Sequence, residues 1–136
     1  MKKQICTGLN EASQVIHQNA VSKGFYDNDR EVNIGEKLML IVSEVSEALE
    51  ADRKGERADT TVYDQLLDEG YTWKDSPLSF NHMFEQGIKN TFEDELADVI
   101  IRVLDLVGYL GIDIEKHINA KHQYNSGRER LHGKKY

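Results

Sequence analysis

The chain has one cysteine, one proline and one tryptophan in 136 residues. A single thiol, Cys6, can close no internal disulfide. That removes the disulfide-stapled scaffolds and suits a reducing compartment, so a cytoplasmic location is expected. With Pro77 as the only proline and little period-two alternation of β-branched residues, helices are expected and strands are not. Apolar runs are broken by charge within about ten residues, too short to cross a bilayer, and no membrane association is expected. The opening Met1-Lys2-Lys3-Gln4 leads into a mixed polar segment without an apolar stretch, so no secretory signal is expected. P-loop, GxGxxG and GxSxG patterns are absent. None of His17, His82, His117, His122 and His132 has zinc-type spacing to another ligand. Glu129-Arg-Leu-His132 is the only Glu-x-x-His spacing, where a di-iron carboxylate bundle needs two.

Charge is plentiful. Charged residues make up 30% and hydrophobic ones 39%, the balance of a soluble globular protein, and the length suits one domain over residues 1–136. Helical folds of this size often complete their core by oligomerising. The net charge of −7 is unevenly spread. Residues 116–136 carry six Lys/Arg against the single acid Glu129, a sum of +5, which leaves −12 on the remainder. An acidic body argues against nucleic acid as a partner. The basic end has two readings, a solvated tail or a phosphate clamp beside a cation site.

Helical periodicity organises the rest. A first helix is predicted over 3–22, with Ile5, Leu9, Ala12, Ile16 and Ala20 on one face and a stop at Lys23-Gly24. A second runs from about 33 to 54, with Leu38, Ile41, Val42, Val45 and Leu49 as its core stripe and Gly55 as its stop. Residues 56–90 are less regular, with short helices predicted at Thr60 to Glu69 and Ser79 to Gln86; so long a connection is more often functional than idle. A third long helix starts near Thr91, where Thr91 and Asp94 have capping-box spacing, and ends at Gly111. Its predicted core face is Phe92, Leu96, Val99, Val103, Leu106 and Leu110. Asp113 is a good N-cap for a fourth, to about Tyr124. The predicted class is all-α, a four-helix-bundle-like fold with an insertion between the second and third main helices.

Two short acidic repeats carry the chemistry. Glu44-Val-Ser-Glu47 lies on the second helix and Glu95-Leu-Ala-Asp98 on the third. Residues three apart share a helix face, so each repeat presents two carboxylates as a jaw. If the helices pack side by side, four carboxylates converge and repel. A hard divalent cation, Mg²⁺, Mn²⁺ or Ca²⁺, resolves that conflict. On the fourth helix and its end, Lys121, Asn125 and Arg128 can share one side, where Lys and Arg suit phosphate.

Taken together, Glu44-Val-Ser-Glu47-Ala, Phe92-Glu-Asp-Glu95-Leu-Ala-Asp98 and Lys121-x3-Asn125-x2-Arg128 with a closing His132-Gly-Lys-Lys resemble the MazG-like nucleotide pyrophosphohydrolases of the all-α NTP pyrophosphatase group. The similarity covers most of the chain in order and is weakest over residues 56–90. The resemblance implies Mg²⁺-dependent hydrolysis of a nucleoside triphosphate to monophosphate and pyrophosphate, with Mn²⁺ as a substitute cation. It implies nucleotide-pool housecleaning by a homodimer or homotetramer. A related dUTPase or phosphoribosyl-ATP activity is the alternative among enzymes, and a catalytically silent helical partner- or RNA-binding module the alternative outside them. Glu44, Glu47, Glu95 and Asp98 carry over as metal ligands, one of them or an adjacent acid doubling as base for the attacking water. Lys121, Asn125 and Arg128 carry over as phosphate contacts, with Lys134 and Lys135 as auxiliaries. His17, Asn19, Lys23, Phe25 and Tyr26 match the segment lining the base and sugar, although Phe25 is equally suited to the core. Arg102 is either a substrate contact or the partner of Asp105 on its own helix. Trp73 either covers the pocket or anchors its loop.

Overall fold

The computed structural model describes residues 7–28, 31–72, 74–75 and 77–135, so the expectations placed on Ile5, Cys6 and Trp73 lie outside the described residues. The regular structure is helical: α1 (Leu9–Ser22), α2 (Ile34–Lys54), α3 (Thr61–Asp68), α4 (Pro77–Gly87), α5 (Phe92–Leu110) and α6 (Ile114–Ser126), then a 3₁₀ turn over Arg130–Gly133. Among the described residues there is no strand. The short α3 and α4 fall between the second and third long helices, where an insertion was expected.

Local chemistry sets the helix ends. Gly24, at φ 85°, closes α1: its N–H bonds to Val21 O at 3.1 Å and that of Phe25 to Ala20 O at 3.2 Å. This bond pair needs a left-handed residue, which glycine supplies without a Cβ clash. Gly55 and Gly111 end α2 and α5 in the same way. Asn33 Oδ1 accepts the Glu36 N–H at 3.1 Å to open α2, and Asp113 Oδ1 accepts that of Lys116 at 3.1 Å to open α6. At α5, Thr91 Oγ1 accepts the Asp94 N–H at 3.4 Å, but the Asp94 carboxylate reaches back to the Asn90 N–H at 2.8 Å, one residue further than a capping box requires. Thr7 and Gly8 are outside α1, so that helix opens at Leu9 and not at residue 3.

The chain forms two compact units, Met1–Glu31 with Val103–Tyr136, and Val32–Arg102. In the first, α1 meets the end of α5 and the start of α6. Asn10 ties the helix starts together: its N–H donates to Glu115 Oε1 at 3.1 Å and its Nδ2 to Asp113 Oδ1 at 2.8 Å. Ser13 is 1% exposed, and Leu104, Leu106 and Val107 are buried. A Cβ on Gly108 would lie 2.6 Å from Ser13 O and 2.8 Å from His17 Cβ, so the two helix backbones approach where only hydrogen fits. Gly108→Ala should therefore lower the melting temperature. Overpacking of this kind costs about 1–3 kcal/mol, against a gain of up to ~1 kcal/mol in helix propensity. An unchanged or higher melting temperature would mean that α1 does not seat on Gly108.

In the second unit, Phe80 of α4 is buried with the Tyr63 ring of α3 edge-on at 5.5 Å. The chain after α2 is pinned to the start of α5. Phe92 N–H donates to Glu56 O at 3.0 Å, Ala58 N–H to Glu93 Oε2 at 2.8 Å, and the Arg57 guanidinium sits 4.2 Å over the Phe92 ring. The buried face of α2 is Glu44, Ala48 and Ala51, not the expected stripe. Leu38, Val42, Val45 and Leu49 are about half exposed, and so are Leu96 and Ile100 of α5. At about 100° per residue the apolar stripe lies roughly a third of a turn round α2 from Glu44. Periodicity therefore placed the core on the wrong face of α2.

Candidate functional site

The carboxylates come together because α2 turns its acidic and alanine positions inward and the first three turns of α5 meet them. Glu44 and Glu95 are buried, each only 6% exposed, while Glu47 is exposed. One oxygen from each of the three lies within 4.8 Å of the others. That convergence is formed by Glu44, Glu47 and Glu95. Asp98, one turn along α5 from Glu95, is half-buried beside it and feels the same field.

Electrostatics follow from this crowding. Burial, then Glu47, Asp94, Glu44 and Asp98, push the Glu95 carboxyl above its ordinary value. Burial, Asp94 and Glu44 do the same to Asp98, with Arg102 opposing them. Glu95 has no hydrogen-bond or ion-pair partner among the described residues. Glu44 does: Arg102 Nε donates to Glu44 Oε1. The sequence offered Arg102 as a substrate contact or as the partner of Asp105; its observed bond is to α2.

The donor set fits a hard cation. All three ligands are carboxylate oxygens, the chemistry Mg²⁺ and Mn²⁺ prefer. Three oxygens on one octahedral Mg²⁺ at about 2.1 Å include at least two neighbouring pairs only ~3 Å apart, so a set spread over up to 4.8 Å must draw in by up to ~2 Å to hold it. Arg102 bonds Oε1 of Glu44, so a cation there would share that carboxylate with the guanidinium.

Beside the carboxylates lies a cleft of about 530 Å³, contained in the second unit. Ser46, Glu47, Glu50, Lys54, Asn90 and Glu95 are among the residues on its walls. Sequence reading missed Lys54 and Asn90. The signal was present for Lys54, since Glu47, Glu50 and Lys54 follow at three- and four-residue spacing on one side of α2.

The other expected residues belong to the first unit. Lys121 and Arg128 converge on Tyr124: the Lys121 Nζ lies 5.3 Å from the ring centre and the Arg128 guanidinium 5.6 Å. Arg128 also donates to His132 O at 3.0 Å. Asn125 lies between them with its Oδ1 buried and without a hydrogen-bond partner. Lys121 and Arg128 thus meet over an aromatic ring that was not foreseen, while no contact joins the Asn125 side chain to either among the described residues. Lys134 and Lys135 are exposed beyond the 3₁₀ turn.

His17 belongs to a different cluster. Its Nδ1 lies 2.9 Å from Asp105 Oδ1, and Tyr26 Oη donates to Asp105 Oδ2 at 2.7 Å. A carboxylate against Nδ1 keeps the proton there and leaves Nε2 as acceptor in the neutral ring. Tyr26 stacks on Tyr109 with centroids 5.6 Å apart, and His17 meets Tyr26 edge-on at 4.7 Å. Burial, then the Asp105 carboxylate, raise the Tyr26 hydroxyl far above its ordinary value, which keeps it a donor. Phe25 is 73% exposed, which removes the core reading offered for it. Comparison of the chain with protein families, with curated proteins and with solved structures yields no match. Among the described residues no helix is long and apolar enough to cross a membrane.

Proposed function

We propose that the protein is a Mg²⁺-dependent nucleoside triphosphate pyrophosphohydrolase of the MazG-like, all-α NTP pyrophosphatase kind. The observation that carries the reading is the convergence of Glu44, Glu47 and Glu95 within 4.8 Å, with Glu95 buried and unpartnered. A carboxylate of a largely buried residue on a cleft wall, raised by burial and by its acidic neighbours, is what a bound cation would relieve. The order of acidic repeats and basic end along the chain adds to it.

In this reading Glu44, Glu47, Glu95 and Asp98 hold Mg²⁺, with Mn²⁺ as a substitute. The metal supplies Lewis-acid polarisation of the phosphate oxygens. Water oxygen forms a bond to phosphorus, the bridging P–O bond between the α and β phosphates breaks, and pyrophosphate leaves. Glu47, on the cleft wall, accepts the water proton. Lys121, Asn125 and Arg128 hold phosphate, assisted by Lys134 and Lys135. His17, its tautomer fixed by Asp105, and the exposed Phe25 take the base and sugar.

The working form is a homodimer or homotetramer in the cytoplasm. The half-exposed Leu38, Val42, Val45 and Leu49 stripe supports a second copy, because large contiguous apolar patches are rare on monomers. The role is clearance of unwanted nucleotides.

The test is a panel of normal and damaged NTPs and dNTPs, with dUTP and phosphoribosyl-ATP included. Each is scored for pyrophosphate release with Mg²⁺ and with chelator. Release that needs Mg²⁺ and favours one nucleotide class is the expected result. No release from any member by folded protein would overturn the proposal.

A further inference from the structure

Lys54 is an exposed cation in the last turn of α2. It ends α2 on the wall of the cleft that Glu47 and Glu95 also line. It makes no ion pair among the described residues, although Glu47, Glu50, Glu56 and Glu95 share that cleft. Its neighbours are already committed. Glu50 is held by Arg53 at 2.8 Å, and Asp52 by Arg57 at 2.5 Å.

Helix geometry aims it. Lys54 is seven residues, about 10 Å along the axis, beyond Glu47. Side chains on a helix lean toward its N-terminus. The Lys54 stem therefore lies back along the cleft in the direction of the carboxylates. Across from it, Asn90 stands in the left-handed region at φ 62°, with its N–H held by Asp94 Oδ2 at 2.8 Å. That anchors an amide on the same cleft wall.

The cleft thus brings the Glu47 and Glu95 carboxylates, the Lys54 ammonium and the Asn90 amide onto one lining, together with Glu50 and Glu56. Its walls are polar or charged apart from Ala51, which offers no platform for an aromatic ring. This is the layout for an extended anion whose one end is bridged to metal. We propose that Lys54, with Asn90, binds the terminal phosphates of a metal-bound polyphosphate chain, so that the cleft takes the pyrophosphate portion. The inference rests on the metal reading of the carboxylates and adds to it a phosphate contact in the carboxylates' own cleft.

Two measurements on the full chain separate the two ideas. Mn²⁺ binding alone, followed by loss of the free-ion electron paramagnetic resonance signal, reads the carboxylates. Calorimetric titration with inorganic tripolyphosphate in saturating Mg²⁺ reads the phosphate end. Lys54→Ala should keep or slightly tighten Mn²⁺ binding, since a nearby positive charge is gone. It should weaken tripolyphosphate about tenfold, the effect of one charge-assisted contact. Lys54→Glu should weaken it further, and Lys54→Arg should restore most of it. Tripolyphosphate affinity unchanged in both Lys54→Ala and Lys54→Glu would overturn the inference while leaving the metal site standing. Failure of the wild type to bind Mn²⁺ would overturn the metal reading and this inference with it. Lys54 is exposed at a helix end, so all three variants are expected to melt like the wild type.

Discussion

Glu47→Ala abolishes Mg²⁺-dependent pyrophosphate release while the protein stays folded: that is the largest effect expected of any single substitution here. Glu47 is the exposed member of the converging trio, so its removal opens no cavity and strands no buried group. Its loss takes a carboxylate from the cation and, in the proposed mechanism, the acceptor for the water proton. Where metal and base act as one unit, a fall of about 10³-fold or more in kcat is typical. The check is initial rate against Mg²⁺ concentration, beside far-ultraviolet circular dichroism and a thermal melt of the same preparation. A folded variant that still turns over at the wild-type rate would sink the carboxylate assignment. A variant that fails to fold would reassign Glu47 to structure.

Glu95→Gln should do something opposite to the fold and similar to the chemistry. Glu95 is buried, unpartnered and raised by burial and by Glu47. A raised carboxyl binds its proton more tightly folded than unfolded. Its favourable contribution is therefore complete below the ordinary carboxylate value, and stability falls as pH rises through the raised value. Asp98 acts in the same direction. Asp59, Asp75, Glu93 and Asp113 are lowered by hydrogen bonds and act oppositely, in the acid range beneath the ordinary value. Metal-free wild type should accordingly melt lower at pH 7.5 than at a pH near the ordinary carboxylate value. Millimolar Mg²⁺ should recover the difference at pH 7.5, since a ligand that prefers the folded state stabilises it by mass action. Gln has nearly the same shape without the charge. It should raise the metal-free melting temperature at pH 7.5 and remove both the Mg²⁺ response and turnover. Stabilising an active site at the cost of activity is a familiar trade. A Glu95→Gln protein that melts lower than wild type at pH 7.5 without metal would mean the charge is answered by a partner.

The helices were legible because their ends are written in single residues. Gly24, Gly55 and Gly111 stop three of them, and Asp113 caps a fourth. The acidic jaws were legible too, since three-residue spacing fixes a face whatever the fold does. What covers the apolar stripe of α2 was not. Leu38 to Leu49 satisfy a core pattern equally well against this chain or against a second surface. Burial of Glu44 in place of Val45 depends on partners far along the chain, such as Arg102, 58 residues on. The His17, Tyr26 and Asp105 cluster was half visible. Its members were singled out, but Asp105 lies 88 residues from His17, and local spacing suggested Arg102 as its partner instead. Lys121 and Arg128 were singled out by their spacing and do meet, but over the ring of Tyr124, which passed unnoticed between them.

The face of α2 that bears Glu44 is otherwise made of Ala48 and Ala51, both buried. Side chains of one carbon set how near this face lies to whatever it packs against, and Glu44 rides on the same surface. In the proposed metal site the alanines would therefore act as a gauge for ionic radius. Oxygens drawn in until neighbours stand ~3 Å apart suit a small octahedral ion, whereas a wider spacing suits Ca²⁺ with its 2.3–2.6 Å bonds. A Val or Leu at position 48 or 51 would wedge the jaw open without touching a ligand. The choice of metal would then be decided by two residues that never meet it.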